Sequence, residues 1–133
     1  MSNTETVGEI YAAFGRGDVP FILDQLADGV SWDERLPDYG VPYLEPGSGR
    51  DHVAQFFQRV GTGLKFSKFE VEDVVGSGDK VVVLVAAEGT HIATGKSFVD
   101  YEAHIWTFGA DGKVTAFVHL VDRKAHAEAA IPG

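Results

Sequence analysis

Apolar residues recur with helical spacing through the first sixty positions and with strand spacing afterwards. Val7, Ile10, Tyr11 and Phe14 stand at i, i+3, i+4 and i+7, one stripe of a helix over residues 4–15 that Gly15 and Gly17 end. Asp18 is placed to cap a second, short helix with Pro20 in its first turn and Val19, Ile22, Leu23 and Leu26 as its buried stripe. Asp28-Gly29 breaks that helix, residues 30–34 form a brief strand, and Pro37, Pro42, Pro46, Gly40, Gly47 and Gly49 mark a long loop. Val53, Phe56, Phe57 and Val60 repeat the helical spacing in a third helix, capped near Ser48 or Asp51.

From Leu64 the pattern becomes strand-like over residues 64–75, 80–88, 96–108 and 113–122, joined by short glycine-bearing turns. Such strands are hairpin neighbours, so three N-terminal helices followed by a bent antiparallel sheet predict an α+β fold. In the third long strand Val99, Tyr101, Ala103 and Ile105 share one face, and Phe98, His104, Trp106 and Phe108 the other. Three short helices cover only one apolar face, so the second is expected to pack against another copy of the chain.

The chain has 133 residues and reads as one domain over residues 1–133. Twenty acidic against eleven basic residues give a formal charge of -9, which repels nucleic acid and anionic lipid surfaces. Cysteine is absent, excluding disulfides, thiolate metal sites and a cysteine nucleophile. No basic residue precedes Arg16 and no early apolar run follows, so no secretory leader is expected. The apolar stretch over residues 81–87 is far shorter than the roughly 20 residues of a membrane helix, and a cytoplasmic protein is expected.

The order Tyr11-Ala12-Ala13-Phe14 with Gly17-Asp18, Leu26-Ala27-Asp28 with Val30-Ser31-Trp32, Gly49 before Val53 and Phe56-Phe57, Ala103 to Phe108, Asp111-Gly112-Lys113-Val114 and Asp122 resembles the SnoaL-like branch of the nuclear transport factor 2-like superfamily. The resemblance spans essentially the whole chain. It implies a cone-shaped α+β barrel in which the bent sheet wraps a helix, encloses an apolar pocket and dimerises through its outer face. The superfamily includes ketosteroid isomerases, polyketide cyclases, dehydratases and noncatalytic binding modules, so fold alone does not select an activity.

His104 carries the most chemical information, because an imidazole among aromatic neighbours must find a partner. Eight residues before Gly112, it matches the place where ketosteroid isomerases carry a hydrogen-bond donor to the dienolate oxygen, and imidazole can donate or shuttle a proton. A core histidine bonded to a backbone carbonyl or a carboxylate is the competing reading. Glu34, two residues after Trp32, aligns without a gap with the isomerase base; with one residue deleted, Asp33 does. Glu34 is preferred, against a strand-end acid facing water or paired with Arg35 or Arg50. His119 shares a face with Phe117 and Val121 and, by the same alignment, points into the pocket. His104, His119 and Glu34 or Asp33 are thus the candidate catalytic set, with Trp32, Trp106, Phe108, Phe117, Tyr11 and Phe57 as substrate-binding walls.

No His-x-His or His-x-x-x-His spacing is present, so neither a metal nor another cofactor is expected. Asp122 has side-chain parity opposite to His119 and is placed to cap the segment 123–130. Asp100 and Glu88 read as solvated strand acids and Glu102 as a rim residue, while His52, His91 and His126 have no chemical context. The isomerase tyrosine of the first helix aligns with Ile10; Tyr11 lies one residue, about 100° of helix rotation, away. Tyr39 and Tyr43 could supply a phenol from the loop. Two functions follow: a cofactor-free isomerase, cyclase or dehydratase acting on a small apolar carbonyl compound, or a noncatalytic ligand-binding or dimerisation module.

Overall fold

The computed structural model describes residues 2–38 and 40–131, so the phenol expected at Tyr39 lies outside them. Helix α1 (Asn3–Gly15) starts at a capping box: the Glu5 amide donates to the Ser2 hydroxyl and the Ser2 amide to the Glu5 carboxylate. Its stripe faces inward, with Val7 and Ile10 buried and Tyr11 and Phe14 packed against the core. Asp18 caps α2 (Val19–Asp24) by accepting from the Phe21 amide.

Strand β1 (Leu26–Trp32) begins and ends earlier than the sequence pattern suggests. Leu26 pairs with Val114 in the last strand, and the exposed Asp28-Gly29 step is absorbed as an irregularity of register within the strand. The long loop contains a single 3-10 turn (Pro42–Leu44) and a two-residue strand, β2 (Gly47–Ser48), which pairs antiparallel with β1. Helix α3 (Arg50–Gly63) has Gly49 at its N-cap, with no side-chain cap from Ser48 or Asp51. Arg50 fixes this corner instead, its guanidinium donating to the Leu26 carbonyl at 3.0 and 2.7 Å.

Strands β3 (Leu64–Ser77), β4 (Lys80–His91), β5 (Ser97–Phe108) and β6 (Val114–Leu120) form the expected antiparallel meander. The six-stranded sheet runs β2-β1-β6-β5-β4-β3 and does not close on itself. β1 lies parallel to β6, a pairing that hairpin logic does not reach because the partners are distant in sequence. A fourth helix, α4 (Arg123–Ala130), returns to pack on β4 and β5, capped by Asp122, which accepts from the Ala125 amide. The fold is α+β, with the helices on the sheet's concave face and the core between them.

Strand alternation then orders the interior. On β5, Phe98, Asp100, Glu102, His104, Trp106 and Phe108 all point inward and are buried, while Val99 and Tyr101 on the outer face are 72% and 60% exposed. Gly89, opposite Phe98, leaves the room that the phenyl ring occupies: a Cβ there would stand 2.8 Å from the ring.

Candidate active site

Two neighbouring cross-strand rows build the site. In the first, Trp32 of β1, Phe117 of β6 and Trp106 of β5 are register partners, with ring centroids 4.0 Å and 4.4 Å apart. In the second, two residues along, His119 of β6 and His104 of β5 are direct partners, their rings 6.0 Å apart. The aromatic row is the floor on which the histidine row stands.

Asp33 enters the second row from the end of β1. Its backbone is in the left-handed region, φ 58°, which aspartate tolerates better than most residues. The Asp33 amide donates to the Phe117 carbonyl, and its carboxylate accepts from the His119 amide at 2.7 Å and contacts His119 Nδ1. Asp33 is 1% exposed, whereas Glu34, preferred from sequence, is exposed on the following turn and does not line the cavity. Same-face parity with Trp32 fails for Glu34 because the strand ends at Trp32 and Asp33 turns the chain.

His104 is engaged at both ring nitrogens. Nδ1 lies 2.5 Å from the Tyr11 hydroxyl and Nε2 lies 2.7 Å from Glu102 Oε1. The Tyr11 oxygen also accepts from the Trp106 indole N–H at 3.1 Å. Tyr11 therefore reaches the site from the helix position beside Ile10, and Ile10 also lines the cavity. Behind Glu102, His126 of α4 is buried, its Nε2 2.9 Å from Asp100 Oδ2 and its Nδ1 3.0 Å from the Tyr43 hydroxyl. Asp100 and Glu102, read from sequence as a solvated acid and a rim acid, are both buried, and His126 has a full set of partners. Sequence parity with His104 was the available signal for the two acids; nothing in the sequence marked His126, which is brought in by α4.

The cavity holds about 650 Å³ of empty space, its open mouth included. Trp32, Phe56, Phe57, Phe66, Phe69 and Phe117 supply much of its wall, and Tyr11, Glu102, His104, His119, Tyr43 and His126 bring polar groups to it. Of the expected walls, Phe108 is buried in the core beyond Trp106 and does not line the cavity. Among the described residues no lysine or arginine lines it. Asp100, Glu102 and His126 bring ligating atoms within 4.8 Å of one another, and of these His126 Nε2 is already hydrogen-bonded to Asp100 Oδ2.

Burial sets the electrostatics. It pushes His104 down to about 4, so the imidazole is neutral. Burial, followed by the hydrogen bond with Asp100, pushes Glu102 up to about 8 against the attraction of His119 and His126. Burial opposes ionisation of Asp100 too, but hydrogen bonds from His126, Glu102 and the Asp122 amide outweigh it and hold that carboxyl below its usual range. The Tyr11 and Tyr43 hydroxyls are driven up by burial and stay protonated.

These shifts have opposite consequences for stability. His104 binds its proton more weakly folded than unfolded, so stability falls as pH drops from about 6.5 towards 4. Glu102 binds its proton more tightly folded, so stability falls as pH rises from about 4.5 towards 8. The slopes cancel between 4.5 and 6.5, and above 6.5 Glu102 acts alone, removing about 2 kcal/mol by pH 8. Urea titrations across pH are expected to show that decline in the wild type and its loss in Glu102→Gln; an equal decline in both would exclude Glu102 as its source.

The sequence profile of the SnoaL-like domain matches residues 7–117. The chain belongs to the SnoaL-like family. No curated protein matches this SnoaL-like chain. An NTF2-like protein of Burkholderia thailandensis is 28% identical, with a TM-score of 0.86 and 99% of each chain covered. An NTF2-like protein of unknown function from Burkholderia pseudomallei is 33% identical, with a TM-score of 0.77 and 96% and 95% covered. TerC, crystallised with polyporic acid, is 27% identical, with a TM-score of 0.76 and 96% of each chain covered.

Proposed function

We propose that this SnoaL-like chain, acting as one domain over residues 1–133, is a cofactor-free acid–base enzyme. It moves a proton on a small, apolar, carbonyl-bearing compound, as an isomerase, aldol-type cyclase or dehydratase does. The observation that supports this reading is the opening of His119 and the Tyr11–His104 pair into one apolar cavity from adjacent strands and the helix above them. The co-crystallisation of TerC with polyporic acid is consistent with a small-molecule cavity in this fold.

Asp33 lies against His119 Nδ1, which leaves Nε2 for the ligand, and from Nε2 His119 donates to the oxyanion that develops on the carbonyl. Tyr11 accepts the proton from the neighbouring carbon while passing its own to His104 Nδ1, so that no phenolate forms. His104, with both nitrogens engaged, works through Tyr11 rather than donating to the ligand directly as sequence position suggests. Among the described residues no lysine or arginine offers the cavity a counter-charge, which favours an uncharged ligand over a phosphate or carboxylate.

Deuterium uptake next to the carbonyl of cyclic aryl ketones such as 2-tetralone, followed by NMR in D2O, tests the reading. The protein is expected to accelerate uptake over buffer at the same pH. Ketones that bind, seen as quenched fluorescence of Trp32 and Trp106, and yet exchange at the buffer rate would overturn it and leave a ligand-binding module.

The same reading includes a homodimer through the sheet's outer face, where Val99, Tyr101 and Leu120 are exposed together. Sedimentation at micromolar concentration is expected to give twice the chain mass, and Tyr101→Glu the chain mass. A monomeric wild type would count against this interface.

A further inference from the structure

The hydrogen bonds of the site run beyond His104 and meet a second, similar series. Tyr11, His104 and Glu102 are joined in that order, as are Tyr43, His126 and Asp100. Both are carboxyl–histidine–tyrosine series, both phenols line the cavity, and their two carboxyl groups converge on His126 Nε2, with ligating atoms of all three residues within 4.8 Å of one another. Glu102 Oε1 faces His104, and Glu102 Oε2 is on the side of His126.

We propose that Asp100 and Glu102 hold one shared proton and form the common end of two proton relays, so that Tyr43 is a second proton-accepting position on the cavity wall. The argument is a count of hydrogens. Six side chains joined by the named contacts need one proton in each contact: Tyr11 O–H to His104 Nδ1, His104 Nε2–H to Glu102, Glu102 O–H to Asp100, His126 Nε2–H to Asp100, and Tyr43 O–H to His126 Nδ1. With each histidine accepting at Nδ1 and donating from Nε2, the histidines and phenols supply all but the carboxyl–carboxyl proton, and one protonated carboxyl supplies that. With both acids ionised, two anions would stand within 4.8 Å of one another in a dry wall with no hydrogen between them.

The direction of the bonds gives the relay its polarity. A proton received at the Tyr11 oxygen displaces the phenolic hydrogen to His104 Nδ1. The His104 Nε2 hydrogen then moves to Glu102 Oε1 and the Glu102 hydrogen to Asp100, which becomes neutral. A proton received at Tyr43 reaches Asp100 through His126 in the same way, and return follows the reverse shifts. Asp100 thus takes one proton from either phenol, and an occupied Asp100 closes both routes. The use of the relays in turnover rests on the acid–base function proposed above; the shared proton does not.

Carboxyl-13C NMR of the ligand-free protein, labelled at glutamate and aspartate, tests the sharing without any substrate. The titratable and charged groups around Glu102 are Asp100 and His104 on its own strand, His119 on β6, His126 on α4, Tyr11 on α1 and Tyr43 in the 3-10 turn. One glutamate is expected to titrate near pH 8, with an aspartate signal responding at the same midpoint, and both responses should vanish in Glu102→Gln. Tyr11→Phe and Tyr43→Phe should each move that midpoint, since each removes a hydrogen bond at one end of the series. Should Glu102→Gln not fold, the paired wild-type response and the two phenylalanine variants carry the test. Glutamates that all titrate in the ordinary range, a midpoint moved by only one of the two tyrosines, or one divalent cation per chain found on metal analysis would each overturn the proposal. Because no ketone is present, absence of ketone exchange alongside a shared proton would defeat only the catalytic reading.

Discussion

Replacing His119 by Ala is expected to slow ketone deuterium exchange by roughly 10²–10⁴-fold, and Tyr11→Phe to do the same, the range that a positioned acid or base contributes. The two act on different atoms of the ligand. In the proposed reaction His119 stands at the oxygen with Asp33 beside its ring, and Tyr11 stands at the carbon with His104 taking up its proton. Loss of either removes a step that the other cannot replace. Asp33→Asn separates orientation from charge: the amide oxygen can still accept from the His119 backbone and asparagine tolerates the positive φ, but the negative charge beside His119 Nδ1 is gone. Its exchange rate should fall while its fold persists. Tyr11→Phe also strands the Trp106 N–H and His104 Nδ1, at a cost of roughly 1–3 kcal/mol, so unfolding must be measured beside exchange. Folded His119→Ala and Tyr11→Phe proteins that exchange at the wild-type rate would remove these residues from the chemistry.

What the sequence made legible follows the range of the interactions concerned. Period-four stripes placed α1, α2 and α3, and period-two alternation placed the inner and outer residues of β5, because both patterns record burial within a single element. Hairpin turns gave the order of β3 to β6 for the same local reason. The parallel pairing of β1 with β6 is distant in sequence, and helical spacing therefore draws Leu26 into the stripe of α2. A gap-free alignment prefers Glu34 over Asp33, and the positive φ that turns Asp33 into the site is a feature that side-chain identity alone does not reveal. Asp100 and Glu102 carried the right parity, but their burial depends on α4 closing over that end of the sheet. His126 became visible as a site residue only when α4 delivered it to Asp100 and Tyr43.

Trp32→Ala is expected to destabilise the fold by about 3–5 kcal/mol, the usual cost of deleting a large buried aromatic side chain. Trp32 is 1% exposed and sits where β1 meets β6, stacked on Phe117 at 4.0 Å and edge-on to Trp106 at 6.0 Å, with Phe56 of α3 at 5.3 Å on its other side. Removing it takes away the contact that ties the parallel strand to the meander and the helix to both. The space left is walled by three rings that cannot close in together, since Phe117 is also held by Trp106 at 4.4 Å. Trp32→Phe gives the comparison that isolates packing. The Trp32 indole N–H has no partner among the described residues, so the smaller ring forfeits no hydrogen bond and loses only part of the stack. The ordering of stabilities should therefore be wild type, then Trp32→Phe, then Trp32→Ala, measured by chemical denaturation at one protein concentration because self-association would shift the midpoint. A loss below about 1 kcal/mol in Trp32→Ala, far under the usual range for such a deletion, would mean that the aromatic row does not hold β1 against β6. The histidine row built upon it would then need another foundation.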